Sequence, residues 1–143
     1  MTPPTTLAPR IHDLLRSYEH WMGTALCRAD ELFTGELLVL AHGTETPPTL
    51  WYASSRALDL WEVTWEQMSI MPSRDTAEPG HREQRALFME QVARDGHVTG
   101  YTGVRVSRTG RRFLIEDATV WNTRDQAGQY SGQAAAFRSW RYL

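Results

Sequence analysis

The chain has 143 residues and a formal net charge of −2, and 41% of its residues are hydrophobic while 22% are charged. A chain of this length and composition forms one globular domain, and its near-neutral charge argues against nucleic acid or an anionic membrane as the main partner. All 15 basic residues are arginines, which excludes Schiff-base chemistry on a lysine amine. The single cysteine, Cys27, excludes an internal disulfide and a multi-thiolate metal site.

The N-terminal segment has no charged region followed by an apolar stretch, and no apolar run approaches the ~20 residues that span a bilayer. We therefore expect a cytoplasmic protein without a membrane segment. Residues 1–10, rich in proline and threonine, are predicted as a disordered lead. Residues 11–143 are predicted as the single folded domain.

Hydrophobic spacing and turn residues predict both helices and strands. In chain order they are a long amphipathic helix at 11–33, strands at 37–41 and 49–53, short helices at 54–61 and 64–67, a helix at 77–95, and strands at 98–107, 111–122 and 131–142. Ser54 is predicted as an N-cap, and Thr64 with Gln67 as a capping box. Gly35 and Gly96 suit positions just past the ends of the two longer helices.

This order of elements indicates an α+β domain with a single antiparallel five-stranded sheet, an N-terminal amphipathic helix, and further helices packed over the sheet. It is also the order of elements in a PAS domain.

The hairpin formed by the predicted strands at 98–107 and 111–122 allows a prediction of register. If residues 108–110 form a three-residue hairpin loop, cross-strand partners have residue numbers that sum to about 218. The alternation of side chains then assigns two faces. One is aliphatic and is expected to pack against the first helix, and it carries Val98, Val104, Val106, Leu114, Ala118 and Val120. The other carries His97, Tyr101, Gly103, Arg105, Phe113, Ile115, Asp117, Thr119 and Trp121.

The second face is typical of a ligand cavity. Phe113 and Trp121 supply apolar walls, Tyr101, Arg105 and Asp117 supply polar groups, and Gly103 leaves a gap beside them. The alternative is a packed core, in which Arg105 and Asp117 form a structural ion pair and helix side chains fill the space over Gly103.

Other side chains are candidates for the same site. His42 ends a buried strand and could place a titratable imidazole in the cavity, or it could bond only to loop backbone. Arg74, with Ser73, Arg82 and Arg85, could surround a carboxylate or phosphate, or lie on a solvated helix face. His81 is a weak candidate for a haem ligand. The sequence has no Gly-rich phosphate loop, no nucleophile elbow and no His/Cys cluster at metal-ligand spacing.

Six short motifs carry a family resemblance, and they are spread in order over nearly the whole chain from Ile11 onward. They lie at 41–44 (AHGT), 71–74 (MPSR), 100–105 (GYTGVR), 110–113 (GRRF), 120–122 (VWN) and 132–135 (GQAA). With these motifs the chain resembles the MEKHLA domain, in its free-standing bacterial form.

The resemblance implies a PAS-related fold with a sensory role, and it names no ligand or cofactor. Neither a homeodomain nor a zipper precedes the domain, so DNA binding is not implied. Flavin photoreceptors of this fold need a reactive cysteine on a helix beside the flavin, whereas Cys27 is expected in the first helix.

Three functions follow as hypotheses. The first is a sensor that binds an unidentified small molecule against Tyr101, Arg105 and His42. The second is an interaction module without a ligand, which forms a homodimer through the N-terminal helix or the sheet face. The third is a small cavity enzyme with His42 or Asp117 as general base.

Overall fold

A computed structural model describes residues 1–78, 80 and 82–143, and of Arg82 only the backbone. The α-helices are α1 (Ala8–Met22), α2 (Ser55–Trp61), α3 (Trp65–Met68) and α4 (Arg82–Asp95). The strands are β1 (Leu38–His42), β2 (Leu50–Ala53), β3 (His97–Val106), β4 (Arg112–Arg124), β5 (Tyr130–Phe137) and β6 (Ser139–Tyr142). Short 3₁₀ turns span Thr5–Leu7, Ala29–Glu31 and Ser73–Thr76.

The strands form one antiparallel sheet in the order β2-β1-β5-β4-β3, and β6 also pairs with β4. Arg138 alone separates β5 from β6, so the predicted strand at 131–142 is one extended segment with a break. The predicted α+β fold, with an antiparallel sheet, an N-terminal helix and helices over the sheet, is confirmed.

The first helix is shorter than predicted at its C-terminal end. It begins at Ala8 and ends at Met22, because Gly23 adopts a left-handed conformation with φ 76° and its N–H bonds to the carbonyl of Glu19. The prediction of a helix to residue 33 is therefore wrong. Apolar residues beyond Gly23, such as Leu26 and Leu32, pack on the core from a loop, and their helical spacing was misleading.

The sheet has helices on both faces. We call the face covered by α1 the outer face, and the face covered by α2 and α4 the inner face. On the outer face, Trp121 donates its indole N–H to the carbonyl of Leu14 (3.2 Å), and Trp21 donates to the carbonyl of Asn122 (3.0 Å). Ser17, buried on α1, accepts a bond from the backbone N–H of Arg124 at 2.8 Å. Specific hydrogen bonds therefore hold α1 on β4.

Ser54 occupies the N-cap position of α2 as predicted, but its side chain does not cap the helix. Its hydroxyl makes no capping bond to α2 and bonds instead across to β1: it accepts from the N–H of Val39 (2.9 Å) and donates to the carbonyl of Leu37 (3.0 Å). The capping box of Thr64 and Gln67 is confirmed.

The β3–β4 ladder keeps the predicted register at both of its ends. Arg105 pairs with Phe113 and Val98 pairs with Val120, and the residue numbers of each pair sum to 218 as predicted. Between these pairs Tyr101 lies opposite Ala118, so each strand contains one extra residue in this stretch.

Because of these bulges, side chains on the two sides of the bulged stretch that strict alternation would place on one face of the sheet lie on opposite faces. Tyr101 and Ile115 lie on the inner face as predicted, and beyond the bulges Val120 joins them. Trp121 and His97 lie on the outer face, where the His97 ring stacks on Trp21 with centroids 5.7 Å apart. The prediction that α1 covers a uniform aliphatic face is wrong, because α1 packs on the Trp121 side of β4.

Candidate functional site

A cavity of about 40 Å³ lies between the inner face of the sheet and the helices α2 and α4. Its walls are mostly apolar, with residues from the five strands β1 to β5 and from both helices. The polar residues that line it are His42, Ser73, Thr76, Arg85, Tyr101, Arg105 and Gln133. Among the described residues that line it there is no aspartate or glutamate.

Arg105 and Tyr101 form the polar group at the β3 side of the cavity. Arg105 is only 6% exposed, and its Nη2 donates to the Tyr101 hydroxyl at 2.9 Å while its Nη1 donates to the carbonyl of Val104 at 2.9 Å. The Tyr101 ring stacks on Phe88 of α4, with centroids 4.0 Å apart. Two protein elements therefore fix the orientation of the phenol.

Gly103 does not leave the gap that the sequence suggested. A Cβ at this position would overlap the hydroxyl of Tyr101, so the Tyr101 side chain already occupies the space above the glycine. Gly103 therefore makes room for a side chain of the protein itself.

At the opposite side of the cavity, His42 begins a chain of buried polar side chains. Its Nδ1 lies 2.9 Å from the carbonyl of Gly43, and its Nε2 lies 3.2 Å from Oε1 of Gln133. Gln133 donates to Oδ1 of Asn122 (3.1 Å), and Asn122 donates to the carbonyl of Val92 near the end of α4 (3.1 Å). The chain links the cavity to the C-terminal turn of α4.

Burial lowers the pKa of His42 below its ordinary value of 6.5. The positive charge of Arg85 lowers it further, while the bonds to Gly43 and Gln133 and the charge of Glu45 oppose the shift. The neutral imidazole is therefore the dominant form at neutral pH.

Arg85 separates the cavity from a groove on the surface. It donates a short hydrogen bond to the hydroxyl of Ser73. The groove has a volume of about 360 Å³, and it shares His42, Ser73, Arg85, Met89 and Gln133 with the cavity. Arg74 lines this groove and not the cavity.

Besides Gly103 and Arg74, three further predicted ligand residues do not line the cavity. Phe113 is fully buried and packs edge-on against Trp61, with centroids 5.0 Å apart. Asp117 is exposed at its bulge, and Trp121 is buried against α1. The alternative ion pair between Arg105 and Asp117 is wrong, because the buried guanidinium bonds to Tyr101 instead.

Sequence reasoning missed Gln133 and placed Val120 on the wrong face. The signal for Gln133 was a polar residue inside the GQAA motif of an otherwise apolar strand. The candidates His81 and the side chain of Arg82 lie outside the described residues. In the part of the chain that the structure describes, no cluster of three or more His, Cys, Asp or Glu side chains could hold a metal ion, and no helix is long and apolar enough to cross a membrane.

Solved structures define the class of fold. A PAS domain from a protein of Colwellia psychrerythraea superposes with a TM-score of 0.67 at 16% identity, covering 81% of this chain and 93% of that chain. An RNA-binding Light-Oxygen-Voltage receptor gives a TM-score of 0.62 at 15% identity, covering 96% and 35%. A Light-Oxygen-Voltage domain studied with a flavin analogue gives 0.60 at 14% identity, covering 80% and 83%. The fold is therefore that of a PAS domain.

The family is shown by sequence. The profile of the MEKHLA domain matches residues 8–142, nearly the whole chain. The protein belongs to the MEKHLA domain family. No protein with a curated description matches the sequence.

Proposed function

We propose that this PAS-type domain is a sensor that binds a small molecule in the cavity between its sheet and helices, with a role in signalling. One observation carries the proposal: the apolar cavity contains a buried, oriented pair of polar groups, Arg105 and Tyr101. Apolar walls with a few fixed polar groups are typical of ligand sites. PAS and Light-Oxygen-Voltage domains are sensory modules, which supports the assignment.

The polar chain supplies a route from the ligand to the helices. A ligand that displaces His42 also disturbs Gln133 and Asn122, and Asn122 contacts α4 through its side chain and α1 through its carbonyl. A ligand changes the arrangement of these helices only if it binds one arrangement more tightly than the other.

The flavin of the Light-Oxygen-Voltage relatives does not fit this cavity. Sites for ligands of that size have volumes of about 300–1,000 Å³, whereas the cavity here has a volume of about 40 Å³. Cys27 lies in the loop after α1, not in the helix as expected, and it is not among the residues that line the cavity. A cysteine-linked flavin mechanism therefore has no support from this arrangement.

The enzyme hypothesis names His42 or Asp117 as the general base. Asp117 is exposed at the bulge and does not line the cavity, so only His42 of the two could act there. Homodimerisation through α1 or the sheet face stays a prediction, which light scattering of the purified chain would check.

The test of the sensor is ligand binding that depends on the cavity. Purified protein would be screened by thermal shift against a metabolite library, and ligands retained from the cell would be sought by native mass spectrometry. Ala135→Leu, on the inner face, should fill the cavity and abolish binding, whereas Ala127→Leu in an exposed turn should not. No bound molecule by either method, or equal binding by the Ala135→Leu variant, would contradict the proposal.

A further inference from the structure

The polar groups of the cavity have more hydrogen-bond donors than acceptors. The hydroxyl oxygen of Tyr101 accepts from Arg105, and the hydroxyl oxygen of Ser73 accepts from Arg85, so each hydroxyl keeps its own proton to donate. Within the described part of the chain, neither proton has a protein acceptor. A guanidinium has five N–H groups, and the bonds of Arg105 to Val104 and Tyr101 use only part of that capacity.

The charge of the cavity, like its excess of hydrogen-bond donors, favours a negatively charged ligand. Arg105 is 6% exposed, and no carboxylate of the described residues lies within ion-pair distance of it or lines the cavity. The chain has no acidic residue outside the described set, since that set omits only Pro79, His81 and the side chain of Arg82. A buried cation without a counter-ion is costly, and an anion in the cavity would offset that cost.

The size of the space limits the anion. A single water molecule needs about 10–15 Å³ of cavity volume. A cavity of about 40 Å³ therefore holds about three or four non-hydrogen atoms. Planar oxyanions of this size match the flat donor fork of a guanidinium. The surface groove beside the cavity is lined by two arginines, Arg74 and Arg85, and one carboxylate, Glu90, so the positive charges outnumber the negative one and would favour the approach of an anion.

We propose that the cavity is a binding site for a small planar oxyanion, such as formate or acetate, held by the guanidinium of Arg105 and the hydroxyl of Tyr101. This inference rests on the proposed function, because it names the ligand class of the same site. Inorganic oxyanions of the same shape, such as nitrate, share this chemistry, and the experiment below distinguishes them from carboxylates.

The experiment is calorimetric titration of the purified chain with sodium formate, sodium acetate and sodium nitrate, at an ionic strength held constant with sodium chloride. Acetamide, which has the shape of acetate without its charge, is titrated in parallel. Tyr101→Phe removes only the hydroxyl and keeps the ring on Phe88, and Arg105→Gln removes the charge. The matched controls are the exposed residues Tyr142 and Arg138, changed to Phe and Gln.

We expect saturable binding of at least one oxyanion, at least tenfold stronger than binding of acetamide. Tyr101→Phe should weaken binding by about tenfold or more, because it removes a hydrogen bond to a charged group. Arg105→Gln should abolish binding, and the two controls should bind as the parent does. If Arg105→Gln does not fold, as judged by circular dichroism, the Tyr101→Phe result decides alone. The anion that binds most tightly shows whether the ligand is a carboxylate or an inorganic oxyanion.

Three results separate this inference from the proposed function. If acetamide binds as well as acetate, or if Tyr101→Phe binds like the parent, the anion assignment is overturned while the sensor proposal stands. The anion assignment is also overturned, and the sensor proposal stands, if no oxyanion binds but a molecule from the metabolite library binds the parent and not the Ala135→Leu variant. If no ligand of any charge binds, both are overturned.

Discussion

Gly100 on β3 and Asp117 on β4 each adjoin the Tyr101–Ala118 pair in the bulged stretch, and both have positive φ angles, 71° and 54°. A Cβ at Gly100 would lie 4.0 Å from Oδ1 of Asp117, which is an ordinary contact. Gly100 and Asp117 switch the faces of both strands, so they place Val120 beside Ile115 in the cavity and Trp121 against α1.

Gly100→Ala should therefore destabilise the domain through backbone conformation and not through a clash. The left-handed conformation costs a residue with a Cβ about 1–2 kcal/mol. Urea denaturation measures the change. Asp117→Asn is the matched control at the positive-φ position of β4 and should be nearly neutral, because asparagine tolerates the same conformation. A Gly100→Ala protein as stable as the parent would show that this bulge is not needed.

Gly103→Ala should move the Tyr101 side chain, because the new methyl group would occupy the place of the phenol oxygen. Displacing Tyr101 breaks its bond to Arg105 and its stacking on Phe88. We expect a loss of about 1–3 kcal/mol, typical of overpacking in a core. The combination with Tyr101→Ala should be less than additive, since the second change removes the clash. Additive losses in denaturation would place Tyr101 elsewhere.

The stability of the domain should fall as the pH drops below about 6.5. Folding lowers the pKa of His42 from 6.5 because the imidazole is buried, with Arg85 nearby and Glu45 opposing. The unfolded chain therefore binds the proton more tightly, so this contribution is present above pH 6.5 and is lost as the pH falls toward the lower folded pKa.

Denaturation at pH 7.5 and pH 5.5 checks this, with His42→Gln giving a flatter dependence than the parent. His12→Gln, on the exposed side of α1, is the control and should keep the parent's slope. An unchanged slope in His42→Gln would mean that another group titrates.

Ser54→Ala should destabilise the domain by about 1–3 kcal/mol, because it leaves the N–H of Val39 and the carbonyl of Leu37 without a buried partner. The loss should exceed that of Ser55→Ala, the neighbouring first residue of α2, whose side chain makes no hydrogen bond to another described residue. Thermal and urea denaturation of both variants would compare them. Equal losses would show that the bridge to β1 contributes little.

Much of the fold was predictable because it depends on local signals. The capping box at Thr64, the stop at Gly96 and the hairpin register near Gly110 each follow from a few neighbouring residues. The end of α1 was missed because the helical spacing of Leu26 and Leu32 continues past Gly23, although the loop that carries them is not helical. Apolar spacing reports burial and does not by itself report helix.

The site was only partly predictable. His42, Tyr101 and Arg105 were found from residue type and strand position, and the structure brings all three to one cavity. Phe113, Asp117 and Trp121 were grouped with them by strict alternation, which fails where β3 and β4 each carry an extra residue. Glycine and aspartate at positions 100 and 117 are compatible with bulges, but also with regular strands and turns, so the sequence did not locate them.

By itself the sequence determined the order of the elements, the family motifs and the supply of arginine without lysine, because these depend only on residue type and spacing. The tertiary structure alone decided which side chains share the cavity. It placed Gln133 between His42 and Asn122, filled the space over Gly103 with Tyr101, and kept carboxylates away from Arg105 among the residues described. The reason is physical: a bulge of one residue reverses the facing of everything beyond it, and that reversal depends on pairing between strands far apart in the chain.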